Sequence, residues 1–198
     1  MDIKVFNKWS VQGIEVTDPG IKPYISLNPR IVPKTGARYA GQRFHRSKIF
    51  IVERLINKLM VTGHQGKKHK RTSGHHTGNT ETIIAEVVKT FELIEKRTGQ
   101  NPIAVFVKAI ENAAPREEVT SIEYGGARYP KPVEVAPQRR IDLALRYMTQ
   151  GAYAKAFNSK KKLYQALAEE IINAYNLSTD SFAISKKLEL ERQADAAR

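Results

Sequence analysis

Cysteine is absent from the sequence, and long apolar runs are absent as well. Without cysteine the chain can form neither disulfide bonds nor thiolate metal sites, which fits a reducing compartment. No apolar stretch approaches the roughly 20 residues that a helix needs to span a bilayer, and the N-terminus lacks the apolar core of a signal peptide. The sequence therefore predicts a cytoplasmic protein that does not enter a membrane.

Acidic residues are also scarce. The 198 residues include 20 Asp and Glu against 33 Lys and Arg, which gives a net charge of +13. Residues 34–71 carry eleven bases and one acid, and residues 126–162 carry nine bases and two acids, whereas residues 79–123 carry eight acids and five bases. Such an excess favours a polyanionic partner over a merely basic protein, and its uneven distribution predicts one binding face and one solvated side.

Signals of catalysis or metal binding are weak. Gly63 and Gly66 are too close together for a nucleotide-binding loop, and no Ser-His-Asp or paired-carboxylate pattern is present. Four histidines share one basic loop: His64, His69, His75 and His76. That loop has no acidic ligand, and its Lys and Arg residues would repel a dication. We expect neither an enzyme nor a metal or other cofactor.

Apolar spacing predicts a mainly α fold with about six helices, one projecting β-hairpin and an extended N-terminal arm. Residues 1–45 are rich in Pro and Gly and form the predicted arm, whose aromatic residues favour ordering against a partner. Residues 46–198 form the predicted helical domain. The expected helices begin near Ser47, Asn79, Asn101, Pro137, Ser159 and Ser181.

The stretch SIEYGGARYPKPVEVAPQRR predicts a hairpin over about residues 119–135. Gly125-Gly126 suits a two-residue turn, because both positions need a positive φ. A lone two-stranded hairpin is only marginally stable, so it needs support from elsewhere. Arg139-Arg140 lie at its base, and arginines suit phosphate oxygens.

Clustered cations indicate nucleic-acid binding. Arg54 and Lys58 are expected to point away from the apolar face of the first helix, and Arg139 and Arg146 from that of the fourth. Lysines 160–162 are placed in the first turn of the fifth helix, where they are unfavourable unless an anion lies beside them. An irregular arm and hairpin favour RNA over DNA. A helical DNA-binding protein and an RNA-modifying enzyme remain alternatives.

Residues 111–148, ENAAPREEVTSIEYGGARYPKPVEVAPQRRIDLALRYM, resemble the hairpin-and-helix signature of ribosomal protein seven of the small subunit. Four further stretches resemble that family, at residues 50–68, 98–112, 150–157 and 183–198. The long N-terminal arm and the insertion HKRTSGHHTGNT are similar to the archaeal and eukaryotic branch.

The resemblance implies a structural protein that binds the 3′ major domain of small-subunit rRNA early in assembly. It also implies that the protein organises the subunit head beside other head proteins, near the tRNA exit site and the mRNA path. The implied rRNA contacts are Arg38, Arg43, Arg46, Lys48, Arg54, Lys58, Lys67, Lys68, Lys70, Arg71, Arg139, Arg140, Arg146, Lys160 and Lys161. The implied hairpin residues near tRNA or mRNA are Tyr124, Gly125, Gly126, Arg128, Tyr129 and Lys131.

Overall fold

The computed structural model describes residues 3–36, 38, 40–63 and 78–198. This part of the chain forms six α-helices and one antiparallel hairpin, which confirms the mainly α prediction. The helices are α1 (Ile51–Leu59), α2 (Thr80–Thr98), α3 (Pro102–Ala113), α4 (Pro137–Ala156), α5 (Leu163–Tyr175) and α6 (Phe182–Ala196). The strands are β1 (Glu117–Tyr124) and β2 (Ala127–Glu134), and they lie between α3 and α4 in the chain. No helix of the described residues is long and apolar enough to cross a bilayer.

Most helix boundaries follow their capping signals. The side chain of Asn79 accepts a hydrogen bond from the backbone of Thr82 at the start of α2, and that of Asn101 accepts one at the start of α3. Gly99 ends α2 with a φ of +65°, where a side chain would be strained. These predicted boundaries are confirmed.

Two predicted helix starts are displaced along the chain. A 3₁₀ turn occupies His45–Lys48, and α1 begins only at Ile51. The fifth helix was expected from Ser159, but the hydroxyl of Ser159 accepts a hydrogen bond from the backbone of Lys161 and closes a separate turn. Because α5 starts at Leu163, the three lysines precede that helix.

The core is centred on α5, which packs against α2, α3 and α4. Helix α1 packs against α2 and α4, and α6 packs against α4 and the base of the hairpin. The crossing of α4 and α6 is close, because a Cβ added to Gly151 would lie 2.6 Å from Cβ of Phe182. The hairpin base therefore receives support from a helix of the same chain.

The described part of the N-terminal segment follows an irregular path over the helices. Val5, Trp9 and Ile21 are buried in the same core as the helices. The Trp9 ring packs edge-on against Phe91, with 5.8 Å between ring centroids, and its Nε1 donates a hydrogen bond to Glu95. The side chain of Trp9 is thus held in place by helix α2. The domain boundary near residue 45 stays a prediction.

Glu111 of α3 fastens the N-terminal segment to the helices. Its side chain is only 5% exposed and accepts hydrogen bonds from the Thr17 hydroxyl (2.8 Å), the Asp18 backbone (3.3 Å) and Nζ of Lys108 (2.9 Å). Burial raises the pKa of Glu111, but the hydrogen bonds from Lys108 and Thr17 outweigh it, and the pKa lies below its ordinary value.

We expect Glu111→Gln to lower the free energy of unfolding at pH 7 by about 1–3 kcal/mol, because an amide replaces a buried, hydrogen-bonded carboxylate. The lowered pKa means that this stabilisation is fully present above the unfolded-state pKa of about 4.3 and is lost as the pH falls through the folded-state pKa. Urea unfolding at about pH 7 and about pH 3 measures the difference, which should shrink in acid. Glu123→Gln, at an exposed ion pair, should cost less than about 1 kcal/mol and is the control.

Candidate nucleic-acid interface

The two basic zones of the sequence meet in the structure where α1 packs against α4. Asp142 of α4 joins them. Its Oδ2 lies 3.1 Å from Nη1 of Arg46, and its Oδ1 lies 3.3 Å from Nη2 of Arg54. Residues almost a hundred positions apart in the chain are therefore brought into contact.

A groove of about 510 Å³ runs between the 3₁₀ turn and α4. Three predicted RNA contacts, Arg46, Arg139 and Arg146, line this groove. Phe44 lies on its edge with 60% of its surface exposed, and the guanidinium of Arg43 is 5.9 Å from the Phe44 ring centroid. Arginines suit phosphate oxygens and an exposed ring suits an unstacked base, so the groove has the chemistry of an RNA-binding surface. We call it the basic groove.

Arg54 differs from its predicted orientation. Its side chain is only 5% exposed, and it donates hydrogen bonds to the carbonyl of Tyr24 (3.0 Å) and to Asp142. Burial lowers the pKa of Arg54, and the Asp142 carboxylate opposes that effect. The prediction of a solvent-facing Arg54 is wrong because the N-terminal segment covers this side of α1. Whether Arg54 contacts RNA stays a prediction.

Lys58 lies one turn further along α1 and is half-buried. Burial lowers the pKa of Lys58; Asp142 raises it, and the neighbouring Arg146 and Arg46 lower it further. A phosphate beside Lys58 would relieve this repulsion between cations.

The twin arginines at the hairpin root both have protein partners. Arg139 holds the carboxylate of Glu118 with two hydrogen bonds of 2.7 and 2.8 Å, which raises the Arg139 pKa. Arg140 donates to Asp18 (2.8 Å) and to the carbonyl of Pro115 (3.2 Å), and only 11% of its side chain is exposed. The structure therefore ties the root of the hairpin to carboxylates of the protein. Arg139 remains half-exposed and also lines the basic groove.

The hairpin has the predicted turn and two unlike faces. Gly125 and Gly126 have φ of +56° and +82°, as a two-residue turn of this kind requires. Ile122 pairs with Tyr129, and Tyr124 lies two residues further along the same face; both tyrosines are more than half exposed. Glu123 and Arg128 form an exposed ion pair on the opposite face, whereas Lys131 is exposed on the tyrosine face. The tip thus offers stacking surfaces on one face and a charged pair on the other.

The remaining predicted contacts do not line the basic groove. Arg38 and Lys48 are exposed on the segment that leads into α1. Lys160 and Lys161 lie in the turn before α5, at another part of the surface. Lys67, Lys68, Lys70, Arg71 and the four loop histidines lie outside the described residues.

Sequence reasoning missed a second hollow beside the groove, a cavity of about 520 Å³ between residues 33–36, α1 and Asp142. Its wall includes Glu53, which is 3% exposed. Oε1 of Glu53 accepts hydrogen bonds from the backbone (2.8 Å) and hydroxyl (2.6 Å) of Thr35. Glu53 is the only acidic residue among eleven basic ones in residues 34–71, and this isolation is the sequence signal that singles it out.

Known proteins with similar sequences identify the family of this chain. The family model described as ribosomal protein S7p/S5e matches residues 21–198. The small ribosomal subunit protein uS7 of Nanoarchaeum equitans (strain Kin4-M) is 54% identical over 198 residues, which cover all of this chain and all of that protein. An archaeal relative of full length agrees with the predicted archaeal and eukaryotic branch. The family is one of structural ribosomal proteins, so rRNA binding and a part in translation follow, and catalysis does not. The chain belongs to the ribosomal protein S7p/S5e family of the small ribosomal subunit.

Proposed function

We propose that this protein binds the 3′ major domain of small-subunit rRNA early in assembly and organises the head of the subunit, near the tRNA exit site and the mRNA path. The observation that carries the proposal is the basic groove, in which Arg46, Arg139 and Arg146 converge from two distant parts of the chain. Other head proteins are expected to lie beside it.

The charges in the groove favour RNA phosphate. Arg46 shares Asp142 with Arg54, and Arg139 is paired with Glu118, so these two arginines are held in fixed orientations. Arg146 has no ion pair among the described residues and is exposed. Because Arg46 and Arg139 are already held in place, they contact phosphate with little loss of side-chain entropy. Arg146 adds a further cation for phosphate.

A competition experiment at near-physiological salt tests the proposal. Labelled RNA of the 3′ major domain competes for the protein with an unrelated structured RNA of equal length. We expect a preference of a hundredfold or more, about 2.7 kcal/mol, because shape and fixed contacts add to charge. Equal competition would reduce the protein to a general polyanion binder.

The hairpin tip is proposed to serve the exit site while the groove supplies affinity for rRNA. The distal halves of both strands are exposed, and only the base is covered by α6 and by the ion pair between Arg198 and Glu117. Arg128 and Lys131 therefore lie where they contribute little to the fold.

Reversing the charge at Arg128 tests this division. Arg128→Glu should leave head assembly unchanged within about twofold, since the side chain is 76% exposed and its ion pair with Glu123 is a surface pair. It should impair translational fidelity, because the hairpin tip is proposed to serve the exit site. Sucrose-gradient profiles and a frameshift reporter measure the two effects, with Arg128→Lys as the charge-preserving control. Collapse of head assembly with normal fidelity in the surviving particles would show that the division is wrong.

A further inference from the structure

Phe44 is an exposed aromatic residue whose backbone is held in an uncommon conformation. Its φ of +55° and ψ of +23° lie in the left-handed region, where a bulky side chain is an outlier. The turn is fixed by hydrogen bonds. The carbonyl of Phe44 accepts from the backbone (3.1 Å) and the hydroxyl (2.6 Å) of Ser47, and the carbonyl of Gln42 accepts from the backbone of His45 (3.3 Å). This strained turn holds the ring at the surface, and such strain clusters at ligand-binding sites.

The surroundings of the ring indicate what it binds. Phe44 lines the basic groove together with Arg46, Arg139 and Arg146. The guanidinium of Arg43 lies 5.9 Å from the ring centroid. Four arginines therefore accompany one exposed ring, and a fitting ligand has anionic groups and flat apolar groups close together. RNA has both, because each nucleotide carries a phosphate and a base.

Other ligands satisfy only part of this surface. An apolar side chain of a protein would cover the Phe44 ring, but it would leave the arginines of the groove facing a surface without counter-charge. A phosphate alone satisfies the arginines and not the ring. Paired bases are stacked inside a duplex, so their faces are not open to a side chain. The ligand that fits the whole surface is an unpaired nucleotide with its flanking phosphates.

We infer that Phe44 is the stacking platform for one unpaired nucleobase of the bound rRNA, whose flanking phosphates lie against the arginines of the basic groove. Stacking uses the face of the base, which every base has, so Phe44 adds affinity at one unpaired position without reading the identity of the base. The inference rests on the proposed function, since it assigns one nucleotide of the same RNA to a defined residue.

Substitutions at residue 44 test the inference in titrations of the full chain with the 3′ major domain RNA. Phe44→Ala should weaken binding about tenfold, and Phe44→Leu should weaken it nearly as much, because leucine keeps apolar volume but has no aromatic face. Phe44→Tyr, which retains the ring, should keep most of the affinity. The slope of log affinity against log salt should be unchanged in Phe44→Ala, since stacking releases no counterions.

Leu177→Ala is the matched control for Phe44→Ala. Leu177 is also 60% exposed and has a φ of +56°, but it does not line the basic groove. Its substitution therefore removes an equally exposed apolar side chain from the same backbone conformation. RNA affinity should be unchanged in this variant, and urea unfolding of both variants shows whether either substitution alters the fold.

An abasic scan of the RNA shows whether the ring meets a base. Abasic residues replace, one at a time, the unpaired nucleotides of the 3′ major domain RNA. One replacement should weaken binding of the wild-type protein about tenfold. Phe44→Ala should lose nothing further on that RNA, since both changes remove one interaction.

Three results would overturn the inference alone. They are wild-type affinity in Phe44→Ala, equal losses in Phe44→Ala and Leu177→Ala, and the absence of any abasic position whose effect disappears in Phe44→Ala. Wild-type RNA affinity with poor incorporation of Phe44→Ala into the subunit head would assign the ring to a protein neighbour instead. Failure of the wild-type protein to prefer the 3′ major domain RNA over the unrelated RNA would overturn the proposed function, and the inference with it.

Discussion

Replacing Asp142 with alanine is expected to lower the free energy of unfolding by about 3–5 kcal/mol. The side chain of Arg54 is 5% exposed, and Asp142 is its only carboxylate partner among the described residues. Without that carboxylate the charge of Arg54 stays buried with one carbonyl contact, to Tyr24. Urea unfolding of the free protein, followed by circular dichroism, measures the loss.

A double variant separates the cost of an unpaired charge from other effects of the substitution. Arg54→Met combined with Asp142→Ala removes the stranded charge and keeps an apolar stem of similar length, so it should be more stable than Asp142→Ala alone. Asp195→Ala is the control, because Asp195 pairs with Arg198 only at the surface and should cost less than about 1 kcal/mol. Equal effects of Asp142→Ala and Asp195→Ala would mean that Arg54 is solvated in solution.

The helices and the hairpin turn follow from local sequence signals. Asn79, Asn101 and Pro102 are capping and first-turn residues, and Gly125-Gly126 supply the positive φ of the turn. Such signals act over a few residues, so periodicity and composition are sufficient to read them. The predicted start of α5 at Ser159 is wrong because serine, like Asn101, is a common capping residue. The turn between Ser159 and Lys161 does not change the spacing of apolar residues, so periodicity does not reveal it.

The roles of the arginines depend on long-range contacts, which composition does not reveal. Arg54, Arg140 and Arg146 look alike in the sequence, yet the first is buried against Asp142, the second is tied to Asp18 and the third is exposed. In two of these cases the N-terminal segment makes the difference, since it covers α1 and supplies Asp18. A segment without periodicity gives no indication of which helix it will cover. Clustered charge therefore predicted the kind of partner, but it did not predict which arginines are buried and which are exposed.

RNA affinity is expected to fall by about three to five orders of magnitude between 50 and 200 mM salt, because several phosphate contacts release counterions. The structure indicates which cations contribute to this salt dependence. Arg146→Gln should reduce the slope of log affinity against log salt by about one, since this exposed arginine lines the basic groove and has no ion pair among the described residues.

Lys89→Gln is the matched control for that slope. Lys89 is 55% exposed, lies on α2 beside Glu86 and does not line the groove, so the slope should stay unchanged although the same charge is lost. Filter-binding titrations with the 3′ major domain RNA at four or more salt concentrations, on the order of 50–200 mM, give both slopes. Equal reductions in the two variants would mean that net charge governs binding. A reduction confined to Arg146→Gln would place phosphate in the basic groove, because only a local contact releases counterions at one site.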